Sequence, residues 1–236
     1  MEDISQLAFY LTEEHPCSYL DKESSITLFA DPAAKLDKTS YSQLSNLGFR
    51  RSGSNVYRPH CSACQKCIPI RIPSAHFVPN KSQKRCLKRN NDLQLSIRTS
   101  IDDDDYYKLY ERYINLRHQD GDMYPASREQ YDSFLTSEWG ITRYLCARNS
   151  EGTLLSVAVM DELVNGMSAI YTFFEPEEHK RSLGVFSVLS QIRLAQTRRL
   201  PYVFLGYWIE ESQKMAYKTQ YQPYQLYINN QWRSFD

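Results

Sequence analysis

Three cysteines recur at a spacing of three in YRPHCSACQKCIPIRI, residues 57 to 72. Cys61, Cys64 and Cys67 gather their thiols in one short stretch, and Cys17 or Cys86 could supply a fourth. Thiolates so spaced suit a zinc or iron–sulfur site. The pattern departs from both, because there is a single cluster and Cys67 is followed by Ile68 rather than proline. His60 and His76 are alternative ligands. The same spacing also suits reduced thiols that pack as small apolar groups. The cysteines are expected to support the local fold more than a chemical step.

A second pattern is cationic. Lys81, Lys84, Arg85, Lys88 and Arg89 stand at i, i+3, i+4, i+7 and i+8 with no acid between them. On a helix they form one stripe. Its self-repulsion could be borne by a solvated face, or offset by a phosphate backbone through counterion release. Nothing nearby resembles a base-reading module, so backbone and shape recognition is the expected mode. The wider charge distribution agrees. Residues 58 to 98 carry nine Lys or Arg and one acid, whereas residues 99 to 139 carry ten acids and four Lys or Arg, although the chain of 236 residues is neutral overall. This segregation predicts an anionic partner for the first stretch.

The elements that must position these groups can be read from periodicity and punctuation. A helix is predicted to end near Gly48, followed by a strand over 55–57. The prolines of CIPIRIPSAHF predict an edge strand or a bulge. Asn80 is placed to cap a helix from Lys81, and LQLSIR reads as a strand. Tyr106, Leu109, Tyr110, Tyr113, Ile114 and Arg117 fall at helical spacing. A boundary near residue 98 divides a cysteine-containing N-terminal domain, 1–98, from a second domain, 99–236. In the latter, TRYLCAR, GTLLSVAVMDEL and MSAIYTFFEP read as three antiparallel strands. A helix from Leu183, the strand PYVFLGY, a helix over IEESQKMAYK and a last strand YQLYI follow. The fold class is therefore α+β. No apolar run reaches 18 residues and the N-terminus lacks a signal peptide, which predicts a cytoplasmic protein with thiols rather than disulfides.

HKRSLGVFSVLSQIRLA resembles the R/Q-x-x-G-x-G/A segment of GNAT-type acetyltransferases, where backbone N–H groups at a helix start cradle the coenzyme A pyrophosphate. Arg181, Leu183 and Gly184 fit that frame. Phe186 stands where a second small residue belongs, and its ring is expected to block the pyrophosphate. An acyl donor other than acyl-CoA would resolve the conflict.

CSYL, YRPHCSACQKCIPIRI, FVPNKSQKRCLKRNNDL, YINLRHQDGDM, AIYTFFEPEEHKRSLGVFSVLSQI and YVFLGYWIEESQKMAYKTQYQP follow one another along almost the whole chain. In this order they resemble the arginyl-tRNA–protein transferase family, and most closely its bacterial branch, the aspartate/glutamate leucyltransferases. The resemblance implies a GNAT-like C-terminal domain. It also implies transfer of leucine from leucyl-tRNA to proteins beginning with Asp or Glu, marking them for degradation by the N-end rule pathway. Some relatives are thought to hold an iron–sulfur cluster on cysteines, nearest here to Cys17 and Cys67.

The ester of an aminoacyl-tRNA is already activated, so no cofactor is required. In such a site the stripe and residues 182–184 would hold the donor. Tyr207 and Lys218 would hydrogen-bond the developing oxyanion, and Arg71, Arg117 and His118 would meet the acceptor carboxylate. Three other readings remain: an arginyl donor in the same reaction, an acyl-CoA-dependent N-acetyltransferase, and a non-catalytic RNA-binding module.

Overall fold

The computed structural model describes residues 4–21, 23–136 and 140–236. Its elements run β1 (Phe9–Leu11), β2 (His15–Pro16), β3 (Ser24–Ser25), β4 (Thr27–Ala30), α1 (Lys38–Asn46), β5 (Arg50–Ser52), β6 (Asn55–Pro59), β7 (Ile68–Pro73), α2 (Lys81–Arg89) and β8 (Gln94–Arg98). They continue with α3 (Asp104–Arg117), α4 (Arg128–Leu135), β9 (Thr142–Arg148), β10 (Leu154–Glu162), β11 (Gly166–Phe174), α5 (Leu183–Thr197), β12 (Tyr202–Trp208), β13 (Tyr224–Ile228) and β14 (Gln231–Phe235). The architecture is mixed α and β around an eight-stranded sheet ordered β14-β13-β7-β12-β11-β10-β9-β8. A four-stranded sheet, β1-β4-β6-β5, lies beside it.

Alternation along β10 explains the layering. Val157 and Val159 face one way, into a core shared with Tyr110 and Tyr113 of α3 and Tyr131 of α4. Ala158 and Met160 face the other way, toward Leu189 and Ile192 of α5. Covered on both sides, β10 is buried over all but its last residue, which is why LLSVAVM is so uniformly apolar. A third core joins Tyr41 and Leu44 of α1 to Val56 and Phe204, seating the smaller sheet on the larger one.

Several helix starts follow their caps. Asn80 accepts from the Gln83 amide while the Gln83 side chain accepts from the Asn80 amide, a complete capping box for α2. Asp104 and Asp105 occupy the first turn of α3, where the helix dipole favours anions.

The large sheet draws on both sides of the expected boundary near residue 98, because β7 and β8 from the first segment belong to it. Three sequence expectations are corrected. β7 is interior, lying between β12 and β13. Its prolines are tolerated because the β13 ladder engages Ile70 and Arg71 alone, leaving Pro69 and Pro73 outside it. IEESQKMAYK forms turns and a short 3-10 segment, Ala216–Gln220, whose Lys218 side chain folds inward onto the Tyr207 carbonyl. YQLYI is not the last strand: Asn229 and Asn230, at φ 53° and 59°, turn it into a hairpin with β14.

Candidate functional site

The parallel pair β11 and β12 comes apart. Their ladder covers Gly166↔Tyr202 to Ser168↔Phe204, yet the strands continue to Phe174 and Trp208. A bulge widens the opening, since Val159 faces Tyr171 while Met160 faces Ala169, leaving Ile170 as the extra residue. α5 begins after β11, at the same end as the opening.

Arg50 enters this splay from β5 of the smaller sheet. Its Nη2 donates to the carbonyls of Ala169 and Ile170, both at 2.6 Å, and its Nη1 to the carbonyl of Leu205 at 3.2 Å. The guanidinium thus bridges both strands where they no longer bridge each other. Close approach requires glycine at the neighbouring position. Gly206 has φ +77°, and a Cβ there would lie 1.4 Å from Arg50 Nη1. The sequence carried no sign of this, because Arg50 meets residues more than a hundred positions away and has no local pattern.

The rim of the opening brings several expected residues together. α2 presents Lys81, Lys84, Arg85, Lys88 and Arg89 to solvent and buries Gln83, Cys86 and Asn90. Those three buried side chains tie the stripe to the rim. Gln83 donates to the Gln220 carbonyl at 3.0 Å, Asn90 to the Arg181 carbonyl at 2.8 Å, and Cys86 Sγ lies 3.6 Å from the Ser182 carbonyl. Arg89 also donates to the Lys180 carbonyl. Arg181 is fixed by two bonds of 2.9 Å to Asp92, whose carboxyl they hold below its ordinary pKa. Ser182 stands in the left-handed region at φ 55° and its side chain makes no cap bond. The first amides of α5, from Leu183 and Gly184 onward, lack intrahelical acceptors. A Cβ on Gly184 would come within 3.3 Å of the Phe174 ring. Arg117 lies over that same ring, 5.2 Å from its centre, and is exposed.

Other expected residues are placed differently. Phe186 is buried in the main core, so its ring is not an obstruction at the helix start. Tyr207 is only 2% exposed, and its hydroxyl donates to the Gly48 carbonyl at 3.0 Å with the Tyr57 carbonyl at 3.2 Å. Its proton is committed, which removes Tyr207 as a free oxyanion donor. Lys218 donates to the Tyr207 carbonyl at 2.6 Å. Burial, assisted by Arg50, drives the Lys218 amine well below its ordinary pKa. Arg71 is buried, stacked 3.6 Å from the centre of Tyr202 and 4.2 Å from that of Trp232, with its Nε donating to Gln225 at 2.7 Å. Its guanidinium is thus occupied by aromatic and polar neighbours, Asn46 Oδ1 among them at 3.1 Å from Nη1. His118 rests against Tyr113, with burial first and Arg117 second lowering its pKa. It is therefore disfavoured as the cation expected to meet a carboxylate.

Cys17, Cys61, Cys64 and Cys67 line one cavity of about 710 Å³ together with Tyr207, and all are free thiols. Burial foremost, then Cys17, Cys61 and Cys64, push the Cys67 thiol up to about 12. Among the described residues no group of three or more His, Cys, Asp or Glu is disposed to hold a metal ion. As placed, the four cysteines do not fit a metal or cluster. Nor, among the described residues, is any helix long and apolar enough to cross a membrane.

The family model described as "Arginine-tRNA-protein transferase, N terminus" matches residues 15–85, and that for the C terminus matches 105–228. An aspartate/glutamate leucyltransferase of Teredinibacter turnerae is 58% identical over 236 residues, covering 100% of this chain and 97% of the relative. One of Saccharophagus degradans is 55% identical over 235 residues, covering 100% of each. One of Pseudomonas putida is 50% identical over 232 residues, 98% of each. Among solved structures, L-PGS from Bacillus licheniformis matches at a TM-score of 0.44 and 10% identity, over 65% of this chain and 50% of that one. That likeness is too slight to bear on the function. Identity at this level along the whole length, with both family models in order, leaves one assignment: the chain belongs to the arginine-tRNA-protein transferase family, in its bacterial leucyltransferase branch.

Proposed function

We propose that this protein is an aminoacyltransferase that moves leucine from leucyl-tRNA to the α-amine of proteins beginning with Asp or Glu, marking them for N-end rule degradation in the cytoplasm. The observation that carries this reading is full-length identity of 50% or more to three leucyltransferases. The splayed sheet, with α5 opening at its mouth, supports a GNAT-like architecture for the transferring part.

The chemistry asked of the chain is modest. The acceptor α-amine has a pKa of about 8, so an appreciable fraction is neutral at cellular pH. Its nitrogen attacks the ester carbonyl, the bond to the ribose oxygen breaks, the nitrogen sheds a proton and the ribose oxygen gains one. Holding amine and ester together supplies most of the acceleration. Donors aimed at the oxyanion supply more. The free amides of Leu183 and Gly184, and the Arg50 N–H groups not spent on strand carbonyls, are the proposed donors. Lys218 acts from behind, holding the Tyr207 backbone at the back of the mouth. Arg117 is the proposed contact for the acceptor backbone.

The stripe on α2 is the proposed seat of the tRNA acceptor arm. Replacing Lys84 and Arg85 by Ala is expected to weaken tRNA binding and flatten its dependence on salt by about one to two slope units. Preference among N-termini should not change, because phosphate contacts position without reading the peptide. Stability should hardly move. A binding series against salt checks all three, and an unaltered slope would return the stripe to solvent.

The function is tested by offering labelled leucyl-tRNA, arginyl-tRNA or acetyl-CoA with peptides that begin with Asp, Glu or Ala. Leucine should reach the Asp and Glu peptides and not the Ala peptide. Transfer of arginine would move the chain to another branch of the family. Transfer of acetyl groups alone would overturn the reaction class.

A further inference from the structure

With Arg71 stacked in an aromatic sandwich and His118 disfavoured as a cation, an acidic first residue still requires a recognition site of its own. The cysteine-lined cavity offers one. Among the described residues its lining includes Arg58, His15 and His60 but no Asp or Glu. At about 710 Å³ it lies within the size of sites that take small ligands. Its wall includes Tyr207, whose carbonyl accepts from Lys218 at 2.6 Å, so the cavity backs onto the transfer mouth.

Arg58 comes from β6. Its Nη1 donates to the Leu47 carbonyl at 3.3 Å and its guanidinium lies over Phe49, 5.0 Å from the ring centre. Its Nε is buried and has no hydrogen-bond partner. A charged donor left so costs free energy, more than a neutral one would. Arg58 lines the cavity, where the described residues offer it no carboxylate, and its terminal nitrogens rather than Nε are suited to charge-assisted bonds with a carboxylate arriving from outside.

We propose that this cavity receives the acidic side chain of the acceptor's first residue, and that Arg58 is the residue that reads it. The reading rests on the leucyl-transfer function above. The α-amine then points from the cavity toward the mouth beside Lys218 and Arg50. A cavity of this volume admits both Asp and Glu, which differ by one methylene. Neutral first residues leave Arg58 without its counter-charge and gain nothing from it.

The test compares the unaltered protein with Arg58→Gln and Arg58→Lys at saturating leucyl-tRNA, using peptides that begin with Asp, Glu, Asn or Ala. Arg58→Gln is expected to lower kcat/KM for Asp and Glu peptides about 100-fold, chiefly through KM, with the residual background for Asn and Ala peptides unchanged. Arg58→Lys should restore part of the loss. Affinity for tRNA and the melting temperature should stay near those of the unaltered protein. Retained preference for Asp over Asn in Arg58→Gln, or a parallel fall for every peptide, would overturn the proposal. A second measurement needs no variant. A peptide beginning with Asp should slow alkylation of Cys61 and Cys64 in the unaltered protein about tenfold relative to one beginning with Ala. Equal rates would also overturn it. If the unaltered protein transfers no leucine to any peptide, the functional reading fails instead, and the alkylation result still judges the cavity.

Discussion

Replacing Arg50 by Ala is expected to reduce leucyl transfer by about 100-fold or more at saturating leucyl-tRNA. Three hydrogen bonds from one guanidinium span the splay between β11 and β12. Bonds to a charged group contribute roughly 1.5–3 kcal/mol each, and their loss leaves three strand carbonyls without this donor. If only about 3 kcal/mol of this is felt as a misplaced mouth, the rate falls by about two powers of ten. Gly206→Ala should reproduce the defect from the other side. Its Cβ would lie 1.4 Å from Arg50 Nη1, and φ +77° disfavours any side chain. The tRNA affinity should be kept, because Arg50 is on a different element from the stripe. Single-turnover transfer beside tRNA binding checks the claim. A full rate in Arg50→Ala would show that the bridge is dispensable.

The largest effect on stability is expected at Asp161. Arg51 Nε donates to Asp161 Oδ2 at 2.6 Å, Arg51 Nη2 to Oδ1 at 2.9 Å, and Thr142 Oγ1 to Oδ1 at 2.8 Å. Both charged side chains are 0% exposed. This pair joins β5 of the smaller sheet to β10, an interior strand of the large one. Removing one partner of a buried pair leaves a charge without compensation, at a cost of about 3–5 kcal/mol. Asp161→Ala should therefore lower the melting temperature by roughly 6–20 °C for a chain of this size. The joint replacement Arg51→Met with Asp161→Leu should recover much of the loss, because neither charge is then stranded. Calorimetry of the single and joint variants decides it. A single variant that melts with the unaltered protein would mean that the pair does not hold the two sheets together.

What local sequence encodes was legible. Asn80 and the five cations of α2 announced both a helix start and an exposed face. The alternating runs from Thr142 to Phe174 announced three neighbouring strands, and α5 follows from Leu183 as its apolar spacing requires. Contacts between distant segments were not legible. β7 reads as an edge strand because its prolines are visible and the narrow β13 ladder that spares them is not. Lys218 reads as part of a helix because its spacing is helical, whereas burial of its amine against Tyr207 sets the local chain. Phe186 reads as an obstruction because its position relative to Gly184 is known before its rotation about the helix. Arg50 had no readable role, since the splay it bridges is a property of two strands that follow it by more than a hundred residues.

The proposed transfer mouth can be located directly by charging tRNA with a diazirine analogue of leucine, irradiating the bound complex and mapping the attached residues. Attachment should concentrate on Phe174, on residues 182–185 and on the 216–220 turn, and should vanish when unmodified leucyl-tRNA competes. Attachment confined to the outer face of α3 and α4, or to the β13–β14 hairpin, would contradict a transfer site at the opening between β11 and β12.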